Sequence, residues 1–301
     1  MLASCTKEGG GPGEPCRVEV CFETSGTKSF DPADEDAVND VNLFIFNGIS
    51  GLLESHVYKD RKSFGKEPLS VDLLTNISYE VAACLNFGYR LPDVKTLDEL
   101  PQLRYYMVYP DDYSVGVPMA AYVKGFVPGR EDGSLLVMQA QRLLAKITLS
   151  IDRSALSQDV QLTVAEAELG GCPRSVTPFA SSRPEGKNDV FSKGFFKKGV
   201  SVDALNKDGG SVSLYMFESL NGDLPTSVTN PSTAAIYPYV QLRINYMSPQ
   251  VAGSKWLYYR FCIGEKDGNS DIKRNTRYHF TVCPHGSGLD GAPSWRVEFT
   301  D

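Results

Sequence analysis

Apolar and polar residues alternate with period two along most of this chain, the pattern of a strand that buries one face. In Arg17 to Glu23 the inward set is Val18, Val20 and Phe22, opposite Arg17, Glu19 and Glu23. Arg142 to Ile151 repeats the pattern through Leu143, Ala145, Ile147, Leu149 and Ile151, and Tyr79 to Leu85 through Tyr79, Val81, Ala83 and Leu85. Val160 to Val164, Val212 to Phe217, Val240 to Tyr246, Trp256 to Ile263, Arg277 to Cys283 and Trp295 to Phe299 follow suit. Val41 to Phe46 is apolar on both faces, which predicts a central strand.

Between these runs lie Asn47-Gly48, Asp132-Gly133, Asp208-Gly209-Gly210, Asn221-Gly222 and Asp267-Gly268, residues that reach positive φ cheaply in hairpin turns. Strands joined in this way are mostly antiparallel. One helical segment is expected, Leu97 to Leu103, with Thr96 placed to cap it, Asp98 and Glu99 in its first turn, and Pro101 keeping it short. Many short strands with regular turn signals and very little helix predict an all-β chain of antiparallel β-sandwiches. A chain of 301 residues favours two domains of about 130 to 160 residues. The turn-rich stretch Pro128 to Gly133, followed by the strongly periodic run from Arg142, places the division near residue 140. The expected organisation is residues 1–15 as leader and tether, 16–140 as one sandwich and 141–301 as a second.

A hydrophobic fraction of 42% and a charged fraction of 22% suit folded domains, and a net charge of -7 provides no basic footprint for phosphate backbones. Nucleic acid is not an expected partner. No run of eighteen apolar residues occurs, so no helical membrane span is predicted. At the start, Leu2-Ala3-Ser4-Cys5 has the order of a lipobox, which makes Cys5 the expected site of lipid attachment and the first four residues the remnant of an export signal. Thr6 to Pro15, with Gly9, Gly10, Gly11 and Gly13, has the composition of a flexible tether. The other six cysteines, Cys16, Cys21, Cys84, Cys172, Cys262 and Cys283, lack metal-type spacing; disulfides and buried thiols both fit them.

Candidate chemistry is sparse. The three histidines, His56, His279 and His285, form no metal-ligand pair, and His279 falls on the outward phase of its strand. No nucleophile elbow occurs. Gly286-Ser287-Gly288-Leu289-Asp290-Gly291 matches a dinucleotide fingerprint literally, but Pro293 and the alternating residues from Trp295 to Phe299 replace the helix that would hold a pyrophosphate, so a loop is expected. Asp267, Asn269 and Asp271 imitate a calcium loop, with Ile272 and Tyr278 where glycine and glutamate are required. Asp31, Asp34, Glu35, Asp36 and Asp40 suit either a weak calcium site or a solvated acidic loop. Tyr105, Tyr106, Tyr109 and Tyr113 suit either a sugar-binding platform or packing. Neither an enzyme, a cofactor nor a bound metal is expected.

Three segments together resemble the fimbrillin superfamily of Bacteroidetes pili, the FimA- and Mfa-like type V pilus subunits with their anchor and tip relatives. Tyr79 to Gly88 looks like that family's strand ending in an "ANxG" turn. Leu214 to Gly222 is similar to its "Y-M-x-E-N-x-x-G" segment, with Ser219 in place of Asn. Arg274 to Tyr278 followed by Ser294 to Val297 resembles its closing "RNxxY … W" strands. The resemblance spans about residues 16 to 301. It implies two transthyretin-like sandwiches, export as a lipoprotein to the cell outer membrane or fimbrium, other pilus subunits as partners, and assembly by strand exchange. The candidate assembly strands are then the terminal ones, carrying Val18, Val20 and Phe22 and carrying Trp295, Val297 and Phe299. In stalk subunits of that family an arginine-specific protease removes the first strand. Here Arg17 precedes the apolar part of that strand and Arg61 lies beyond the Val41 strand, which favours an anchor or accessory subunit that keeps its first strand and its lipid; cleavage at Lys28 would restore a stalk role. A host glycan or protein is a further possible ligand, and a carbohydrate-binding outer-membrane lipoprotein is the alternative reading.

Overall fold

A computed structural model of the chain describes residues 13–24, 35–66, 68–106, 116–129, 134–191, 195–196, 201–225, 236–265, 268–289 and 295–300, with residues 195–196 and 295–300 described by backbone alone. The described residues are all-β, with three short 3-10 helices. The first strands are β1 (Pro15–Thr24), β2 (Val41–Asn47), β3 (Leu53–Lys59), β4 (Ser70–Leu74), β5 (Tyr79–Leu85), β6 (Tyr105–Tyr106), β7 (Met119–Phe126) and β8 (Ser134–Arg142). All but β6 join one seven-stranded sheet in the order β3-β2-β5-β7-β8-β1-β4. Inward residues from its two ends, such as Val18, Val71 and Met138 on one side and Leu43, Val81 and Met119 on the other, share one apolar cluster. The sheet therefore folds over onto its own inner face, and β7 and β8 pair only at Met119↔Arg142 and Ala120↔Gln141.

The later strands are β9 (Leu144–Ile151), β10 (Gln161–Gly170), four two-residue strands β11 (Cys172–Pro173), β12 (Ser175–Val176), β13 (Val190–Phe191) and β14 (Phe195–Phe196), then β15 (Ser211–Phe217), β16 (Tyr239–Ser248), β17 (Val251–Cys262), β18 (Arg277–Val282) and β19 (Trp295–Thr300). They build two four-stranded sheets, β10-β16-β17-β19 and β14-β15-β9-β18. Alternate residues of both, among them Ile147, Leu149, Leu214, Leu242, Ile244, Leu257 and Tyr259, form a second apolar cluster. Burial of these residues supplies the favourable term that opposes the conformational entropy of ordering the strands.

Three local expectations change. Tyr79 to Leu85 reads as a strand with one buried face, but every residue of β5 is buried. Phe44, Phe46, Ala82 and Cys84 on the outer face of β2 and β5 belong to the second cluster, reached through Phe87, Leu100 and Tyr105. Arg142 to Ile151 is not one strand: β8 ends at Arg142, and β9 begins at Leu144. Arg142 itself is buried, ion-paired to Asp36 and donating to Asn275 Oδ1 at 3.1 Å. Finally, β1 and β8 are parallel, as are β9 and β18, while the other ladders are antiparallel. Turn residues fix the direction of strands joined by hairpins only, and neither parallel pair is joined by one.

The short helix forms at Leu97–Gln102 as a 3-10 turn, with Pro101 inside it and Leu100 buried. Thr96 makes no side-chain cap; Lys95 N–H donates instead to Glu99 Oε2 at 2.7 Å.

Candidate functional site

The first candidate assembly strand is a central strand. β1 pairs with β4 antiparallel from Pro15↔Leu74 to Glu19↔Ser70 and with β8 parallel from Val18↔Ser134 to Thr24↔Ala140. Its alternation is as the sequence predicts, with Val18 and Val20 buried, Phe22 half-buried, and Arg17, Glu19, Cys21 and Glu23 exposed; Cys16 extends the inward row by one residue. Arg17 stands inside the strand, opposite Asp72, and its guanidinium donates to Ser70 Oγ at 2.8 Å. A protease that needs an extended, unpaired substrate meets Arg17 in a ladder, whereas Arg61 is exposed in the turn after β3.

The second candidate strand, β19, ends its sheet and pairs with β17 through Trp295↔Phe261, Val297↔Tyr259 and Phe299↔Leu257. β1 and β19 belong to different sheets, so the structure does not bring the two candidate strands together. Cys5, the tether as far as residue 12, and Lys28 lie outside the described residues. The tether joins the fold at Glu14, whose N–H donates to Thr75 Oγ1 at 2.9 Å and whose carbonyl accepts from Thr75 N–H at the same distance.

The acidic cluster is neither a solvated loop nor an open cation site in its described part. Glu35 is buried, with Oε1 accepting from Lys146 Nζ at 3.2 Å and from the Tyr215 hydroxyl, and Asp36 pairs with Arg142. Asp40 is buried and accepts from the N–H groups of Phe87 at 3.0 Å and Gly88 at 3.1 Å; burial raises its pKa even though those two bonds lower it. Asp31 and Asp34 lie outside the described residues. Of the four tyrosines, Tyr105 is core, 4.6 Å from Phe87 and 5.8 Å edge-on to Phe217 between ring centres, and Tyr106 is exposed. Tyr109 and Tyr113 lie outside the described residues. In the literal glycine motif, Gly286 and Gly288 have positive φ, and the turn is fastened by the Tyr246 hydroxyl donating to Ser287 O at 2.9 Å and by the Tyr259 hydroxyl to Gly288 O. His279 is exposed, 3.1 Å from Ser150 Oγ. The six described cysteines are free thiols: Cys16, Cys84 and Cys172 are buried, Cys21 and Cys283 exposed, and Cys262 is intermediate. Burial pushes the Cys84 and Cys172 thiols well up and that of Cys262 up to about 11.

The three segments that carry the resemblance are polar knots. Asn86 sits at φ 62, fully buried, where its Oδ1 accepts from Asn39 N–H at 2.7 Å and its Nδ2 donates to Ala37 O and Val117 O, each at 2.8 Å. Gly116 closes over it at φ 97; a Cβ there would lie 2.7 Å from Asn86 Nδ2. Glu218 and Arg274, from the second and third segments, pair at 2.7 Å. Asn275 takes φ 53 so that its N–H reaches Leu144 O at 2.9 Å. Each residue binds the backbone or side chain of a distant segment, which is why the motifs mark the architecture rather than a reaction centre. Sequence reading missed the pairing of Glu218 with Arg274, residues 56 positions apart, because nothing local signals it.

No protein-family model and no curated protein sequence matches the chain. Solved structures do. The chain is similar to the tip fimbrial protein Mfa3 from Porphyromonas gingivalis, with a TM-score of 0.61 and 12% identity over 95% of this chain and 99% of that one. It is similar to fimbrilin (FimA) from Porphyromonas gingivalis W83, with a TM-score of 0.57 and 13% identity over 94% and 96% of the two chains. It is also similar to a fimbrial assembly protein from Parabacteroides distasonis, with a TM-score of 0.55 and 10% identity over 96% and 99%. These identities speak for architecture, and the match runs nearly end to end in every case. The chain has the fold of the fimbrillin-like superfamily of Bacteroidetes fimbrial proteins.

Proposed function

We propose that this chain is a non-catalytic, structural and adhesive pilus subunit, lipid-anchored through Cys5 to the outer membrane, acting as an anchor or accessory component and assembling with other pilus subunits by strand exchange. Residues 16–140 and 141–301 are its two transthyretin-like sandwiches. The observation that carries the reading is β1: a ten-residue strand, directly after a glycine-rich tether, hydrogen-bonded on both sides between β8 and β4. Without it, the row formed by Val71, Leu73, Leu136 and Met138 would lose its cover, and two strand edges would lose their main-chain partners. A neighbour's extended segment with alternating apolar residues satisfies both needs, and β19, at the edge of its sheet, has the Trp295, Val297, Phe299 alternation such a donor requires.

Two features favour a subunit that keeps β1. Arg17 is held within the ladder, and a cut at Arg61 would remove β2, whose residues Val41 to Phe46 are all buried. Mass spectrometry of the mature protein from its native membrane fraction tests the reading. The expected result is an acylated Cys5 on a chain that still contains residues 15–24. A lipid-free chain that starts after Lys28 overturns the anchor or accessory role and replaces it with that of a processed stalk subunit.

A further inference from the structure

A cleft of about 820 Å³ opens between the outer side of the β7–β8 corner and the loop of residues 177–182. This is the size of cavity that takes small ligands. Two aromatic rings stand in it, Tyr122 of β7 and Phe179 of the loop, with centres 6.5 Å apart and planes inclined by 59°. Tyr122 is 45% exposed, and its hydroxyl is tied to Glu80 Oε2 at 2.5 Å, so the ring is oriented before any ligand arrives. Phe179, partly buried against the core, sits on a braced loop. The Arg274 guanidinium donates to Pro178 O at 3.0 Å and to Ala180 O at 2.7 Å, while Glu218 Oε1 accepts from Ser182 N–H at 2.9 Å and from Arg274 at 2.7 Å. Beside the rings, Gln139 and Gln141 lie at alternate exposed positions of β8, where Gln139 Nε2 donates to Glu23 Oε2 of β1 at 2.6 Å.

We infer that this cleft is a binding site for a neutral oligosaccharide. The chemistry of the lining selects that class. Aromatic faces are electron-rich and pack against the polarised C–H faces of a pyranose ring, and a side-chain amide offers both donors and an acceptor to vicinal hydroxyls. The one cation in the lining, Arg274, is neutralised by Glu218 and committed to two carbonyls, so an anionic sugar finds no free counter-charge and meets the carboxylate of Asp98 at the rim. The rings and the loop are fixed in advance, which reduces the ordering cost that makes most sugar sites weak. β1, β4 and β19 contribute no residue to its lining, and β1 reaches it only through Glu23, which holds the Gln139 amide.

The test uses the purified full chain on an array of neutral, sialylated and sulfated oligosaccharides, followed by titration calorimetry with the strongest neutral hit. Binding to at least one neutral oligosaccharide is expected. Tyr122→Ala is expected to weaken it by about tenfold, as is the double change Gln139→Ala with Gln141→Ala, whereas Tyr122→Phe keeps the ring and stays within about threefold. Ser181→Trp, which fills the cleft from an exposed loop position, abolishes binding, and Tyr89→Ala, an exposed ring outside the cleft, leaves it unchanged. Thermal melts of each variant separate lost binding from lost folding. No binding to any neutral sugar, a preference confined to sialylated or sulfated sugars, or binding undiminished by both Tyr122→Ala and Ser181→Trp overturns the assignment.

Discussion

Replacing Val18 by Asp probes whether β1 can leave its slot. Val18 is fully buried, opposite Val71 on β4 and Ser134 on β8. Losing its isopropyl group forfeits about 1.5–3 kcal/mol of burial. A carboxyl group at the same point, facing only the apolar cluster of Val71, Met138 and their neighbours, costs about 2–3 kcal/mol more even when neutral. The total of about 3.5–6 kcal/mol rivals what Val18 and Val20 together contribute by burial. Peeling β1 away takes the carboxylate into water and returns about 1–2 kcal/mol of backbone entropy for each residue released, which offsets the lost ladders to β4 and β8. Hydrogen exchange read by mass spectrometry is expected to show rapid exchange in residues 15–24, 70–74 and 134–140, with β2 and β5 still protected. The opened slot is expected to produce concentration-dependent self-association in size-exclusion chromatography with light scattering. Glu19→Gln, one residue along on the exposed face, is the control and is expected to change stability by less than about 0.5 kcal/mol. Uniform loss of protection across the whole chain, or a Val18→Asp protein as protected and monomeric as the Glu19→Gln control, would refute the idea of a separable strand.

Other outcomes follow from the polar knots and thiols. Asn86→Ala strands one N–H and two carbonyls in the interior and places alanine at φ 62, so urea melts are expected to show a loss above about 3 kcal/mol; Asn86→Gly, which relieves the backbone strain alone, is expected to recover about 1 kcal/mol of it. Asp40 has a folded-state pKa above its ordinary 3.8, so its protonation favours folding: its contribution is present below pH 3.8 and lost as pH rises through the raised value. The stability deficit of Asp40→Asn relative to the parent is therefore expected to widen as pH falls from 7 to 4, and a deficit that narrows would contradict the burial argument. Iodoacetamide at pH 8 is expected to label Cys21 and Cys283 in the native protein, Cys262 slowly, and Cys84 and Cys172 only after unfolding; peptide mapping that finds Cys84 modified in the native state would show that the core opens far more readily than its packing implies.

The period-two alternation was enough to place β1, β16 and the later half of β17, with the inward rows Val18, Val20 and Leu242, Ile244, because a strand that buries one face must alternate; β15 forms where it predicts, but Leu214 to Phe217 are all buried, so that strand is covered on both faces. The all-β class followed from the same pattern, and the three segments marked the superfamily's fold. The tertiary structure decided matters of pairing. That β1 lies between β4 and β8, parallel to the latter, depends on contacts between residues about 50 positions apart on one side and 116 on the other, which no local pattern encodes. The same holds for the outer face of β5, whose alternation with alanines looked half-exposed until Ala82 and Cys84 were seen to pack against residues of the later sheets. The cleft was illegible for this reason too: Tyr122, Gln139 and Phe179 are unremarkable in sequence, and only the fold-over of β7 onto β8 and the bracing of residues 177–182 by Arg274 bring them to one opening. Local periodicity reports which face of a strand avoids water, whereas the choice of partner strand is made by the free energy of the assembled core.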